Sequence, residues 1–135
     1  MKEGKENQME AITTKNAPQA LGPYSQAIKV GEYLFLSGQI PINPTSNKVE
    51  AVGIKEQTRQ VMDNIRSILE SEELGLENIV KTTIFITDME QFSIVNEEYG
   101  AILGSHRPAR STIEVSRLPK DVLIEIEAIA TYAVR

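Results

Sequence analysis

The chain has 135 residues, with 14 Lys and Arg against 19 Asp and Glu, for a formal net charge of −5. That length sets a prior of one domain around one core. There is no Cys and a single His, His106, which excludes disulfides, thiolate zinc sites and a Cys nucleophile, and leaves a metal site or a Ser-His-Asp triad only one imidazole.

Residues 1–8 are polar and charged, with no apolar run of the kind a secretion signal needs. They are expected to form a disordered extension to a single domain of residues 9–135, and the expected compartment is the cytosol. Ser25 to Val30 and Tyr33 to Ser37 read as two strands. The Gly31-Glu32 pair between them is a hairpin signal. Gly38 to Asn47, rich in Gly, Pro, Asn and Ser, reads as a loop. Ile54 to Leu74 carries apolar residues at a 3.6 period, which predicts an amphipathic helix with Gly75 ending it. Ile79 to Thr87 is β-branched and apolar, and reads as a central strand. Asp88, with Gln91 three residues on, predicts the start of a helix. That helix runs to about Leu103, buries Phe92, Val95, Tyr99 and Ile102 or Leu103, and stops at Gly104. Arg110 to Ser116 and Val122 to Val134 read as two more strands, joined by a turn at Pro119-Lys120-Asp121.

The predicted order is therefore β-β-α-β-α-β-β, an α+β fold with one mixed sheet and two helices on one face. A sheet covered on one side only, with Val, Ile and Ala alternating along its strands, favours oligomerisation. No stretch approaches the ~20 apolar residues of a membrane span, so no membrane partner is expected.

Four segments carry candidate chemistry. Tyr24 follows a Gly22-Pro23 turn. Ser37-Gly38 ends a strand, for which a bulge or turn is the plain explanation. Arg110 follows a Pro-fixed bend at Pro108. The stretch Ile124-Glu125-Ile126-Glu127-Ala128 alternates strictly, so that Glu125 and Glu127 share one face. Like charges on one strand face repel unless one meets a cation or keeps its proton. The plain reading makes them solvent-facing residues of an edge strand. Brought together, these groups would form a small anion pocket. Arg110 supplies a fork for a carboxylate, Ser37-Gly38 backbone N–H groups, Tyr24 a wall, and a Glu an acid or base.

These blocks occur in order with Gln57 to Asn64, Val80 to Thr83, Val95-Asn96-Glu97 and Arg117 to Asp121, across about residues 10 to 134. In that series the chain resembles the RidA/YjgF family of reactive enamine/imine deaminases. The resemblance implies a chorismate-mutase-like fold and a homotrimer with clefts between subunits. It implies hydrolysis, without a cofactor or a metal, of small 2-enamino and 2-imino acids such as 2-aminoacrylate and 2-iminobutanoate to 2-oxo acids and ammonia. Residue by residue, it makes Arg110 the anchor of the substrate carboxylate and Glu125 the group that activates water. Tyr24, Ser37, Gly38, Asn96 and Thr112 become substrate-binding positions, and Glu127 a structural one. Whether Tyr24, Ser37 and Asn96 come from the same subunit as Arg110 is left open. Thr112 stands where many members have Cys, so the hydrolysis must run without a thiolate.

Two other classes remain. One is a small-carboxylate-binding regulatory protein that does not turn its ligand over, for which Glu125 has little use. The other is an RNA-acting translation inhibitor or endoribonuclease. Against a nucleic-acid partner stand the acidic charge and the lack of a stacking platform, with three Phe, four Tyr and no Trp.

Overall fold

The structure, a computed structural model, describes residues 8–133; the rest of the expected disordered extension lies outside them. Six strands and two helices follow one another: β1 (Glu10–Ile12), β2 (Ala27–Val30), β3 (Tyr33–Gln39), α1 (Ile54–Ser71), β4 (Ile79–Ile86), α2 (Phe92–Leu103), β5 (Ala109–Glu114) and β6 (Ile124–Thr131). They build one mixed sheet in the order β1-β2-β3-β6-β4-β5. Only β4 and β5 run parallel, joined by the α2 crossover; the other neighbours are antiparallel.

The predicted alternation is present, with one strand added. β1 pairs Glu10 with Lys29 and Ile12 with Ala27. Three residues are too few to show a period of two, and the strand exists because the β2–β3 hairpin offers it an edge. A second difference concerns β6. It lies between β3 and β4, so Glu125 and Glu127 sit on a central strand and not on an edge.

Helix α1 buries Ile54, Val61, Met62, Ile65, Ile68 and Leu69 as one stripe over β3 and β6. It ends earlier than the apolar period suggests, and Gly75 is not what stops it. Leu74 N–H donates to Leu69 O at 2.9 Å and Glu73 N–H to Glu70 O at 3.0 Å, while Glu73 itself takes φ 61°. That is a Schellman motif with a Glu at the left-handed position normally given to Gly. Before α2, the Asp88 carboxylate accepts from Glu90 N–H at 3.0 Å and caps a 3-10 turn at Met89–Gln91, from which the helix continues. Val95, Tyr99 and Leu103 are buried and Phe92 half-buried, and Gly104, at φ 66°, ends the helix.

Both helices cover the same sheet face. Leu34, Leu36, Ile84, Ile86, Ile124, Ile126 and Ala130 form the core there, each 4% exposed or less. The opposite face is open over much of its area, leaving Tyr33, Phe35 and Ile113 49%, 43% and 45% exposed. At one end the loops after β3 and β5 fold over this face and pack Ile40, Ile42, Leu118 and Val122 against Phe85 and Val115. That end carries the candidate site.

Candidate functional site

The site begins with an irregularity in the β3–β6 ladder. Leu36 pairs with Ala128 and Gln39 with Ile126, so three steps on β3 match two on β6. The extra residue makes a bulge at Ser37-Gly38, as the plain reading of that dipeptide holds. Alternation is broken there, so Leu36 and Gln39 both point into the core, at 4% and 5% exposure. Ser37 is fixed at both ends: its N–H donates to Gln26 O at 2.9 Å and its hydroxyl to Ser25 O at 2.6 Å. The buried Gln26 side chain secures the preceding loop, donating to Pro18 O at 2.7 Å and accepting from Thr14 N–H, also at 2.7 Å.

Gly38 has a steric reason to be Gly. A Cβ there would lie 2.9 Å from Cδ and 3.1 Å from Cγ of Glu125. The missing side chain lets the carboxylate lie against the bulge. Burial, and then the charge of Glu127 on the same strand face, raise the Glu125 pKa above the ordinary carboxylate value. No cation pairs with Glu125 among the described residues.

Around this carboxylate opens a cleft of about 530 Å³, lined by Leu21, Gly22, Pro23, Tyr24, Ser37, Gly38, Ile40, Pro119, Glu125 and Glu127. The Tyr24 ring is 49% exposed along its wall. Its hydroxyl accepts from Leu21 N–H at 3.1 Å, which keeps the phenolic proton available to a ligand. Pro119 reaches the rim from a turn in which Lys120 and Asp121 take φ 57° and 55°. An Arg117–Asp121 ion pair at 2.6 Å closes that turn.

Arg110 is not in this cleft. Its partner in the β4–β5 register is Thr82, which faces the helices, whereas Glu125 pairs with Phe85 on the open face. Two strand spacings and three residues along the strands put the Cα atoms of Arg110 and Glu125 roughly 14 Å apart on standard sheet dimensions. Arg110 instead lies against α2. Its Nη1 donates to Asn96 Oδ1 at 2.8 Å, and its guanidinium carbon is 5.3 Å from the ring centroids of both Phe92 and Tyr99. Asn96 therefore groups with Arg110 and not with Tyr24 and Ser37. Thr112, two residues on from Arg110 along β5, turns to the same side, and its buried hydroxyl has no partner among the described residues.

The residues expected at one site thus fall into two groups on opposite faces of the sheet. Tyr24, Ser37, Gly38 and Glu125 make one; Asn96, Arg110 and Thr112 make the other. Phe92 and Tyr99 read from sequence only as core positions of a helix. Their spacing of four and three residues about Asn96 was the available sign that one stripe of α2 meets one partner.

The family model described as Endoribonuclease L-PSP matches residues 14–132. A RutC family protein of Pyrococcus horikoshii is 54% identical over 121 residues, covering 90% of this chain and 96% of its own. The 2-iminobutanoate/2-iminopropanoate deaminase of Escherichia coli K12 is 49% identical over 122 residues, covering 88% of this chain and 94% of its own. The crystal structure of the E. coli YjgF gene product superposes with a TM-score of 0.86 at 48% identity, over 90% of this chain and 98% of that one. Matches of this identity over nearly the whole length, on the same sheet and helices, are family membership: the chain belongs to the RidA/YjgF family.

Proposed function

We propose that the protein is a hydrolytic deaminase that converts small 2-enamino and 2-imino acids, of the 2-aminoacrylate and 2-iminobutanoate type, to 2-oxo acids and ammonia. The observation that carries this reading is the Glu125 carboxylate laid against the Gly38 bulge, without a cation partner among the described residues and raised in pKa at the edge of an open cleft. A pure binder of carboxylates has no use for such a group, and the E. coli relative is named for this reaction.

In the proposed reaction the Arg110 guanidinium holds the substrate carboxylate, using the donors that Asn96 leaves free. Protonation of an enamine at carbon gives the iminium. Water adds to the iminium carbon as its proton passes to Glu125. The same proton then goes to the departing nitrogen, the C–N bond breaks as the new hydroxyl gives its proton to Glu125 and so to solvent, and ammonia and the 2-oxo acid result. A carboxylate with a pKa raised toward neutrality both accepts and returns a proton well. Arg110 and Glu125 lie on opposite sheet faces, so one substrate can meet both only across an interface. The assembly we propose is the family's homotrimer, in which the open sheet face of each copy is covered and each cleft joins Glu125 of one copy to Arg110 of the next.

The family model's description favours a second reading, an RNA-cleaving enzyme. Against it, Glu125 and Glu127 line the cleft of a chain with net charge −5 and would repel a phosphate backbone. The deciding experiment generates 2-iminobutanoate from threonine with a dehydratase and follows 2-oxobutanoate release, with RNA cleavage measured in parallel. We expect faster release with the wild-type protein and none above background with Arg110→Ala, which should fold normally. Full activity in that variant would remove Arg110 from the mechanism.

A further inference from the structure

We infer that Tyr99, anchored by Thr82, is a positioning residue that fixes the direction of the Arg110 guanidinium. Arg110 stands on the exposed edge strand β5 and carries a long side chain with four rotatable bonds. Left to itself it would sample many rotamers and lose that freedom on binding a ligand. Three residues of α2 prevent this. Phe92, Asn96 and Tyr99 fall on successive turns of one helix face, and all three meet the same guanidinium. Asn96 takes Nη1, which leaves the Nε–Nη2 edge for a planar, two-toothed carboxylate contact.

The Tyr99 ring is the fixed member of the set. It is 5% exposed, whereas Phe92 is only half-buried. Its hydroxyl lies 2.6 Å from Thr82 Oγ1, in a hydrogen bond sealed from solvent. Thr82 is also the register partner of Arg110 across β4 and β5. The backbone that sets where Arg110 starts therefore also sets where the ring that guides it sits. A buried Tyr hydroxyl needs such a bond in any role, but a ring with only a packing role does not need the cation at 5.3 Å.

The inference rests on the deaminase reading only for the identity of the ligand, so its test uses two measurements. The first is the Kd of 2-oxobutanoate by calorimetry, and the second is KM and kcat for 2-iminobutanoate. Tyr99→Leu removes the ring, and Tyr99→Phe keeps it while losing the hydroxyl. For Tyr99→Leu we expect Kd and KM to rise about five- to thirty-fold, the equivalent of losing a partly desolvated cation–π contact, with kcat within about two-fold of wild type. Tyr99→Phe should recover most of the affinity, because the ring remains. Thr82→Val breaks the same hydrogen bond but leaves the Tyr99 hydroxyl buried without its partner, so the ring shifts and the variant should fall between the two. Circular dichroism and urea midpoints establish that each variant is folded. Unchanged Kd and KM in Tyr99→Leu, a loss confined to kcat, or a Tyr99→Phe no better than Tyr99→Leu would each overturn the positioning role. Wild-type protein that binds 2-oxobutanoate but does not hydrolyse the imine would overturn the deaminase reading alone, and Kd would still decide the role of Tyr99. Wild-type protein that does not bind the 2-oxo acid would overturn the inference.

Discussion

Glu125, the acid–base group of the reaction we propose, sits where its charge costs the fold stability. It is half-buried, faces Glu127 on its own strand and has no cation beside it among the described residues. Both effects raise its folded pKa above the unfolded value, so the folded state holds the proton more tightly. The associated stability is full below the unfolded pKa and is lost as pH rises through the folded pKa. Glu125→Gln removes that loss along with the acid–base function. We expect its thermal midpoint to exceed that of wild type at pH 8, with the gap closing as pH falls below about 4. Deaminase activity should fall ~10²- to 10⁴-fold, the usual worth of a general acid or base. Scanning calorimetry at two pH values checks the first part; a variant no more stable than wild type at pH 8 contradicts the burial argument.

Among the elements, α1 holds the cleft in place without touching it. Asn64 on this helix is 1% exposed, and its Nδ2 donates to Ile40 O at 3.1 Å and Ile42 O at 3.0 Å. Gln57, two turns earlier, accepts from Leu123 N–H at 2.8 Å and donates to Ala51 O at 3.1 Å. These amides tether the strand exit after the bulge and the approach to Glu125. Asn64→Ala leaves the Ile42 carbonyl without its donor and Ile40 O with the Ile42 N–H alone, at 2.7 Å, so we expect a loss of about 1–3 kcal/mol in urea unfolding, together with reduced activity as Ile40 shifts in the cleft wall. An unchanged urea midpoint would count against the tether. Such buried polar residues were not legible as tethers in the sequence: the helix period puts Asn64 on the wet side with Glu56 and Gln60 and gives Gln57 no role, yet both are buried because loop carbonyls and a strand N–H need their amides. Element types were legible where the period was long: α1, α2, β4 and β6 all lie within their predicted spans. What escaped was set by tertiary pairing. β1 needs the hairpin edge, the α1 stop uses Glu73 in a conformation usually taken by Gly, and the Ser37-Gly38 bulge owes its Gly to Glu125 from a strand almost ninety residues on.

For the whole molecule, the sheet works as a partition. Alternation along β5 and β6 turns Arg110 toward the helices and Glu125 toward the open face, and no rotamer of either side chain crosses the sheet. Sequence alone could list both residues, but it could not show this separation, because it depends on β5 joining the edge of β4 in parallel. In the trimer we propose, the separation becomes the reason for assembly: Tyr33, Phe35 and Ile113 leave water, and the cleft on one copy receives the Arg110 edge of the next. Mixing two inactive variants tests this arrangement. Arg110→Ala chains still carry Glu125, and Glu125→Gln chains still carry Arg110. If each cleft draws one residue from each of two copies, random co-assembly in equal amounts leaves about one quarter of the clefts with both groups intact. We expect co-expressed variants to recover roughly that fraction of wild-type activity, while the same two proteins purified apart and assayed together without subunit exchange stay inactive. Recovery would rule out a site in which one chain supplies both groups. Co-assembled variants that remain inactive would place Arg110 and Glu125 on the same copy's side of the cleft, against the geometry of the sheet.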